Sequence, residues 1–265
     1  MKKIFLMLLS IATISSAIAQ QEKEKNTRKD KKIERQERIN AMAKQEEEGV
    51  ITYRKHFAGG IKLASDGYGA FLEVGRAQSV KKSLLFQFEF SERKHVKEEK
   101  QQNIYTGASL IFGKINFFYP VKLGVQQQFL LGNKGNKNGV SVTANIGAGA
   151  IIGLLRPYLV NVQKQDGSFA YVGYNSPDSN LFLNPAVIAN GPSFGTGWNK
   201  VKVTPGLYIK PAVRFDYGTY NEMISAIEVG LTGEFYSKKI EQIIHNEPKQ
   251  YFISAYVSFI FGRRK

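Results

Sequence analysis

The chain has 265 residues, 37 Lys+Arg against 22 Asp+Glu, a formal net charge of +15 and no cysteine. The absence of cysteine excludes disulfides, thiol catalysis and thiolate zinc sites. Hydrophobic residues make up 43% of the sequence, low for a bundle of membrane helices but suited to strands of which only every second residue meets lipid.

In chain order, Met1-Lys2-Lys3 is a basic start, residues 4–14 are apolar, and Ser15-Ser16-Ala17-Ile18-Ala19 carries an A-x-A site. This predicts a signal peptide over 1–19, cleaved before Gln20. Its apolar run is too short to span ~30 Å of hydrocarbon, and no later run reaches the ~18 residues of a membrane helix. No cysteine follows the signal, which excludes a lipid-anchored lipoprotein. An exported chain without a nucleic-acid recognition motif is not expected to bind nucleic acid. Lipopolysaccharide phosphates or anionic solutes are the expected counter-charges.

Residues 20–49 change composition to Lys, Arg, Glu, Gln and Asn. Glu34 and Arg38 form a favourable i,i+4 pair and Arg28 with Lys32 a repulsive one. Ile33, Ile39 and Met42 are too sparse for a continuous apolar stripe. A charged, partly helical periplasmic arm is expected, either simply solvated or docking a periplasmic or outer-membrane protein through residues 20–48.

From Tyr53 onward, short runs alternate apolar and polar residues with period two, the pattern of strands with unlike faces. In residues 57–63, Phe57, Ile61 and Leu63 oppose Lys62. Next, Ala70, Leu72 and Val74 oppose Phe71 and Glu73. Leu84, Phe86, Phe88 and Phe90 oppose Gln87, Glu89 and Arg93. Residues 104–113 set Ile104, Ala108, Leu110 and Phe112 against Tyr105, Gly107 and Ser109. Residues 121–131 carry Lys122, Gln126 and Gln128 on the polar face, and residues 140–152 alternate Val, Ala and Ile with Ser141, Thr143 and Asn145. Residues 203–217 set Leu207, Ile209, Val213 and Phe215 against Tyr208, Lys210, Arg214 and Asp216. Ile227, Val229, Leu231 and Phe235 oppose Glu228, Thr232, Glu234 and Tyr236. In the last run, Tyr251, Ile253, Ala255, Val257, Phe259 and Phe261 oppose Ser254, Tyr256 and Ser258.

Several of these nine runs are longer than the usual soluble strand and match the ~9–11 residues of a tilted membrane strand. Their polar faces suit a water-bearing interior better than a sandwich core. The expected fold is therefore all-β: a transmembrane antiparallel up-and-down β-barrel over residues 50–265 with an N-terminal charged helical arm. An even count is required. Ten strands follow if a tenth lies in 169–174 after the Asp166-Gly167 turn, and eight if one run lies outside the barrel. Residues 160–200 read largely as an extracellular loop. With ten strands, the turns at 77–82, 113–120 and 218–222 face the periplasm.

With the signal peptide, the alternating strands and the terminal Tyr256-Val257-Ser258-Phe259-Ile260-Phe261, the chain resembles the small outer-membrane β-barrel proteins of the OmpA-like and PorT-like kind over residues 50–262. The resemblance implies a bacterial outer-membrane location. It also implies that the last strand, through Tyr256, Phe259 and Phe261, is read by the barrel-assembly machinery. The implied surroundings are outer-membrane lipid including lipopolysaccharide.

Chemistry is scarce. His56, His95 and His245 lack both the nucleophile and carboxylate context of a hydrolase and any metal-ligand spacing, so no catalytic, metal or cofactor site is expected. The Gly-rich 132–139 segment joins two strands and reads as a hairpin turn, not a phosphate loop; Lys134 and Lys137 meet lipid phosphate if that turn lies outside. The inward charges Lys62, Glu73, Glu89, Lys122, Lys210, Arg214, Glu228 and Glu234 are expected to form a lumen network. In it, Arg214 faces Glu228, Lys210 lies diagonal to Glu234, and Glu73 falls near Lys62. In a narrow barrel such a network plugs the interior. The expected role is non-enzymatic, in envelope structure, assembly or protein export; a narrow passive solute channel and a lipid-modifying barrel enzyme are the alternatives.

Overall fold

The computed structural model describes residues 54–79, 81–135, 139–220 and 222–265. The expected signal peptide and arm lie outside them. Eight strands follow one another: β1 (Lys55–Ala64), β2 (Gly67–Ser79), β3 (Lys82–Arg93), β4 (Asn116–Gly132), β5 (Ser141–Pro157), β6 (Lys202–Asp216), β7 (Met223–Ile240) and β8 (Lys249–Arg264). Each pairs antiparallel with its sequence neighbours, and β8 returns to β1 to close the barrel. Closure leaves no strand edge unpaired, which is the requirement for a sheet in hydrocarbon. The seam is finished by Arg54 N–H donating to the Lys265 carbonyl at 3.0 Å and Lys265 N–H donating to the Lys55 carbonyl at 2.8 Å.

The barrel has eight strands, not ten. The 104–113 run supplies only Ser109–Leu110, paired with Gln101–Gln102 in a separate ladder. Positive φ at Gly107 (71°) and Gly113 (72°) interrupts extension there. The proposed tenth strand forms as Phe169–Val172 but joins Val160–Gln163 and Ile188–Asn190 in a three-stranded sheet apart from the barrel. That sheet and the short helix Ser179–Phe182 enclose a small core of Leu110, Tyr158, Val160, Val162, Val172, Phe182 and Ile188. Residues 160–200 thus lie in a long connection between barrel strands, as expected, and carry secondary structure and a small core of their own.

Both termini of the barrel and the turns after β2, β4 and β6 lie at one end; the long connections 94–115 and 158–201 lie at the other. The expected turns at 77–82 and 218–222 fall at the terminus end. The one at 113–120 does not, because β4 begins at Asn116 beside the long connections. The 132–139 turn also lies at the terminus end.

Side-chain alternation makes the barrel polar inside and apolar outside. Phe57, Leu72, Phe86, Leu123, Ile146, Leu207, Val229, Ile253 and Phe261 are exposed, whereas Lys62, Glu73, Gln87, Lys122, Asn145, Lys210, Glu228 and Ser258 are buried. An exposed apolar belt of this extent on a soluble protein would drive aggregation; around a closed barrel it matches a bilayer.

Candidate functional site: the barrel interior

The interior is filled by apolar and charged side chains. Near the terminus end, Ala58, Phe71, Ile224, Ala226 and Ile260 form an apolar floor. Toward the loop end, Phe118, Ile151, Leu155, Tyr208, Tyr236 and Ile240 form an aromatic-rich ceiling, against which Phe252 packs. Small inward residues make room for these rings: a Cβ on Gly153 would come within 2.8 Å of Phe118 and 3.0 Å of Tyr236.

Among and between these apolar residues lie the charges. All eight residues singled out from the sequence are buried there. Arg214 on β6 grips Glu73 on β2, four strands away, through paired hydrogen bonds of 2.6 and 2.8 Å. The same guanidinium donates to Glu228 Oε2 at 2.9 and 2.8 Å. Glu228 also receives Lys210 at 3.1 Å, the Tyr256 hydroxyl at 2.8 Å and the Asn145 amide at 2.8 Å. Lys62 and Lys122 converge on Glu89 Oε1 at 3.0 and 2.7 Å. Lys122 reaches on to Glu234 at 2.9 Å, and Glu234 binds Arg93 and the Tyr236 hydroxyl at 2.8 and 2.9 Å.

Strand register explains which sequence pairings form. The β6–β7 hairpin sets Arg214 opposite Glu228. Lys210, however, bonds Glu228 and Gln87 rather than Glu234. Glu73 does not approach Lys62, because the first hairpin sets Lys62 opposite Gly69 and Glu73 opposite Ala58. Several partners instead come from across the narrow lumen, a distance that neighbour rules along a hairpin do not measure.

Arg93, Asp66 and His56 belong to the same system without having been singled out for it. Arg93 Nε binds Asp66 at 2.8 Å, and His56 Nε2 lies 3.6 Å from Glu73. Arg93 already stood on the polar face of its run; that position was its only signal. Lys62, Arg93, Lys122, Lys210 and Arg214 thus face Asp66, Glu73, Glu89, Glu228 and Glu234, a balanced set of charges. Buried ion pairs offset their desolvation only when their hydrogen-bonding capacity is also met. Glu89, Glu228 and Glu234 each have at least two donors. Tyr256 contributes further by lying under Lys62 and Lys210, whose Nζ atoms stand 4.2 and 5.0 Å from its ring centre.

A cleft bordered by Lys62, Asp66, Glu89, Arg93, Lys122 and Ser254 has a volume of about 20 Å³, room for one water rather than a solute column.

Other expected residues fall elsewhere. Phe259 and Phe261 lie on the outer face of β8, whereas Tyr256 points inward and is buried. Lys134 is buried at the terminus end, donating to the Gly218 carbonyl and lying 3.7 Å from Asp216, which also binds Arg264. Its ammonium is thus engaged inside that end of the barrel, and Lys137 lies outside the described residues. His56 lies in the lumen, while His95 and His245 occupy the connections after β3 and β7. Burial holds the His95 imidazole below its usual range, with Lys249 acting in the same direction. Among the described residues, no group of three or more His, Asp or Glu gathers to hold a metal.

At the loop end the outer wall carries a second cluster. Arg156 lies between rings, its guanidinium carbon 4.1 Å from the Phe117 ring centre and 5.1 Å from that of Trp198. It donates to the Phe194 carbonyl at 2.6 Å and the Tyr119 hydroxyl at 3.2 Å. Tyr119 stacks on Trp198 with centres 5.6 Å apart. This cluster fastens the end of the 158–201 connection to the barrel wall. Nearby, Lys114 binds Glu98 at 2.6 Å; burial lowers its basicity and Glu98 opposes that shift.

No family model matches the chain, and no curated protein matches it. Among solved structures, it is similar to Ail, the attachment invasion locus protein of Yersinia pestis, at 8% identity and a TM-score of 0.39, over 81% of this chain and 100% of that one. Neisserial surface protein A is similar at 12% identity and a TM-score of 0.35, over 80% and 96%. The N-terminal β-barrel domain of OprF from Pseudomonas aeruginosa is similar at 11% identity and a TM-score of 0.33, over 79% and 98%. The architecture of this chain, eight antiparallel strands closed around a polar interior, is that of a small outer-membrane β-barrel.

Proposed function

We propose that the protein is a non-conducting barrel of the bacterial outer membrane that acts as an anchor, without enzymatic activity, in envelope structure or assembly. The observation that carries this reading is the filled interior: charged side chains meet across the lumen, with apolar and aromatic clusters packed among them. Mobile solutes need a continuous wet path, and ion-paired side chains that meet from wall to wall obstruct it. The signal-like pattern of residues 1–19 and the exposed apolar belt support the location. Placing the termini in the periplasm puts the 160–200 subdomain outside the cell, following the usual asymmetry of short periplasmic turns and longer outer connections.

On this reading the working surfaces are the loop-end subdomain and the segment 20–48, each a contact surface for a protein partner. Lipopolysaccharide surrounds the loop end, and the barrel-assembly machinery reads the last strand during insertion.

Vesicle swelling with small sugars and amino acids tests the anchor reading. Swelling no faster than in protein-free vesicles is expected, and solute-dependent swelling by the purified barrel would overturn it in favour of a channel. Recovery of a partner after mild detergent extraction, and its loss on deleting residues 20–48 or 160–190, separates the two contact surfaces.

A further inference from the structure

The terminus-end rim is unlike on its two sides. On β8, β1, β2 and β3, which are adjacent in the barrel, the outward residue one alternation beyond the last apolar position is basic in every case. Lys55 follows Phe57 toward the rim, Arg76 follows Val74, Lys82 follows Leu84 and Arg263 follows Phe261. Register places them together: Lys55 pairs with Arg76, and Phe57 pairs with Arg263. All four basic side chains are exposed, and among the described residues none has a carboxylate within ion-pair distance. Arg54, Lys81 and Lys265 extend the same arc. On β4 to β7 the last outward apolar or aromatic positions are Leu131, Val140, Tyr217 and Met223, and the described residues one alternation beyond, Asn133 and Thr219, are uncharged.

We infer that this arc is a binding site for the phosphate headgroups of anionic phospholipid, such as phosphatidylglycerol, in the leaflet at the terminus end of the barrel. The inference rests on the outer-membrane reading above. A basic group one step past an apolar belt sits at headgroup height, with its alkyl stem along the acyl boundary and its charge at the phosphate. Lys82 lies against the outer wall at this height, its Nζ 5.8 Å from the centre of the outward Phe129 ring. Among the described residues this exposed basic charge is confined to four neighbouring strands, which favours one side of the barrel for such lipid, and the outermost outward residues on the other four strands are apolar or tyrosine. A protein partner binding this arc would have to displace lipid from beside the apolar belt.

Native mass spectrometry of the full chain, extracted from vesicles containing equal phosphatidylglycerol and phosphatidylcholine, tests the inference. The expected result is about tenfold preferential retention of phosphatidylglycerol, falling to within about twofold in K55Q/R76Q/K82Q/R263Q. A control variant with four loop-end changes, K97Q/K164Q/K200Q/K202Q, keeps the preference. Equal retention of the two lipids by the wild type, or an unchanged preference in the rim variant, overturns the inference while leaving the barrel reading intact. Retention of added lipid A in place of phosphatidylglycerol, lost in the rim variant, overturns the leaflet assignment. Failure of the wild type to insert, read by far-ultraviolet circular dichroism and heat-dependent gel migration, overturns the membrane reading and this inference with it.

Discussion

Replacing Arg214 with methionine removes the cation that joins Glu73 to Glu228 while keeping an unbranched side chain in its place. The two carboxylates do not suffer equally. Glu228 keeps Lys210 at 3.1 Å, Tyr256 at 2.8 Å and Asn145 at 2.8 Å. Glu73 keeps the His56 contact of 3.6 Å but loses two short charge-assisted bonds. Breaking a buried pair from one side costs about 3–5 kcal/mol, and most of that should fall on Glu73. Converting Glu73 to glutamine as well removes the stranded charge, so the double variant R214M/E73Q should recover about 2 kcal/mol or more relative to R214M. Equilibrium urea unfolding in phospholipid vesicles, followed by fluorescence of the single Trp198 and by circular dichroism, gives these differences. R214M within about 0.5 kcal/mol of wild type, or a double variant no more stable than R214M, would refute the claim that Arg214, Glu73 and Glu228 form a buried ion network across the lumen.

Other substitutions probe neighbouring parts. Tyr256→Phe removes a hydroxyl from Glu228 and one only, and a loss of about 1–3 kcal/mol is expected in the same unfolding assay. Gly153→Val drives a side chain into Phe118 and Tyr236, and heat-dependent gel migration should report unfolding at lower temperature. Replacing residues 160–190 with a short Gly-Ser linker should leave the barrel folded in that gel assay, since the subdomain has its own core. Arg156→Gln removes the cation held between Phe117 and Trp198, and limited proteolysis should then cut near 194–200 faster than in wild type.

The barrel was legible from sequence because its physics is local. Phe57 and Lys62, or Val257 and Ser258, meet lipid and lumen on opposite faces of one strand, and period two records that directly. The strand count was harder for an equally physical reason. Residues 104–113 and 169–172 alternate or extend like barrel strands, but the first bends at Gly107 and Gly113 and the second completes a separate small sheet. Inward charges were legible as a class, and Arg214 with Glu228 as a pair, because a tight hairpin sets them opposite. The partners of Glu73, Lys210 and Arg93 were not, since they depend on the width of the closed barrel rather than on spacing within a hairpin. Arg156 carries no periodic signal of its significance, because the segment that covers it lies about 40 residues further along the chain.

Single-channel recording in a planar bilayer tests the filled interior most directly. The unmodified barrel, inserted and confirmed folded, should show no steady open-state conductance across moderate voltages. A stable, ohmic conductance from every inserted molecule would contradict the account.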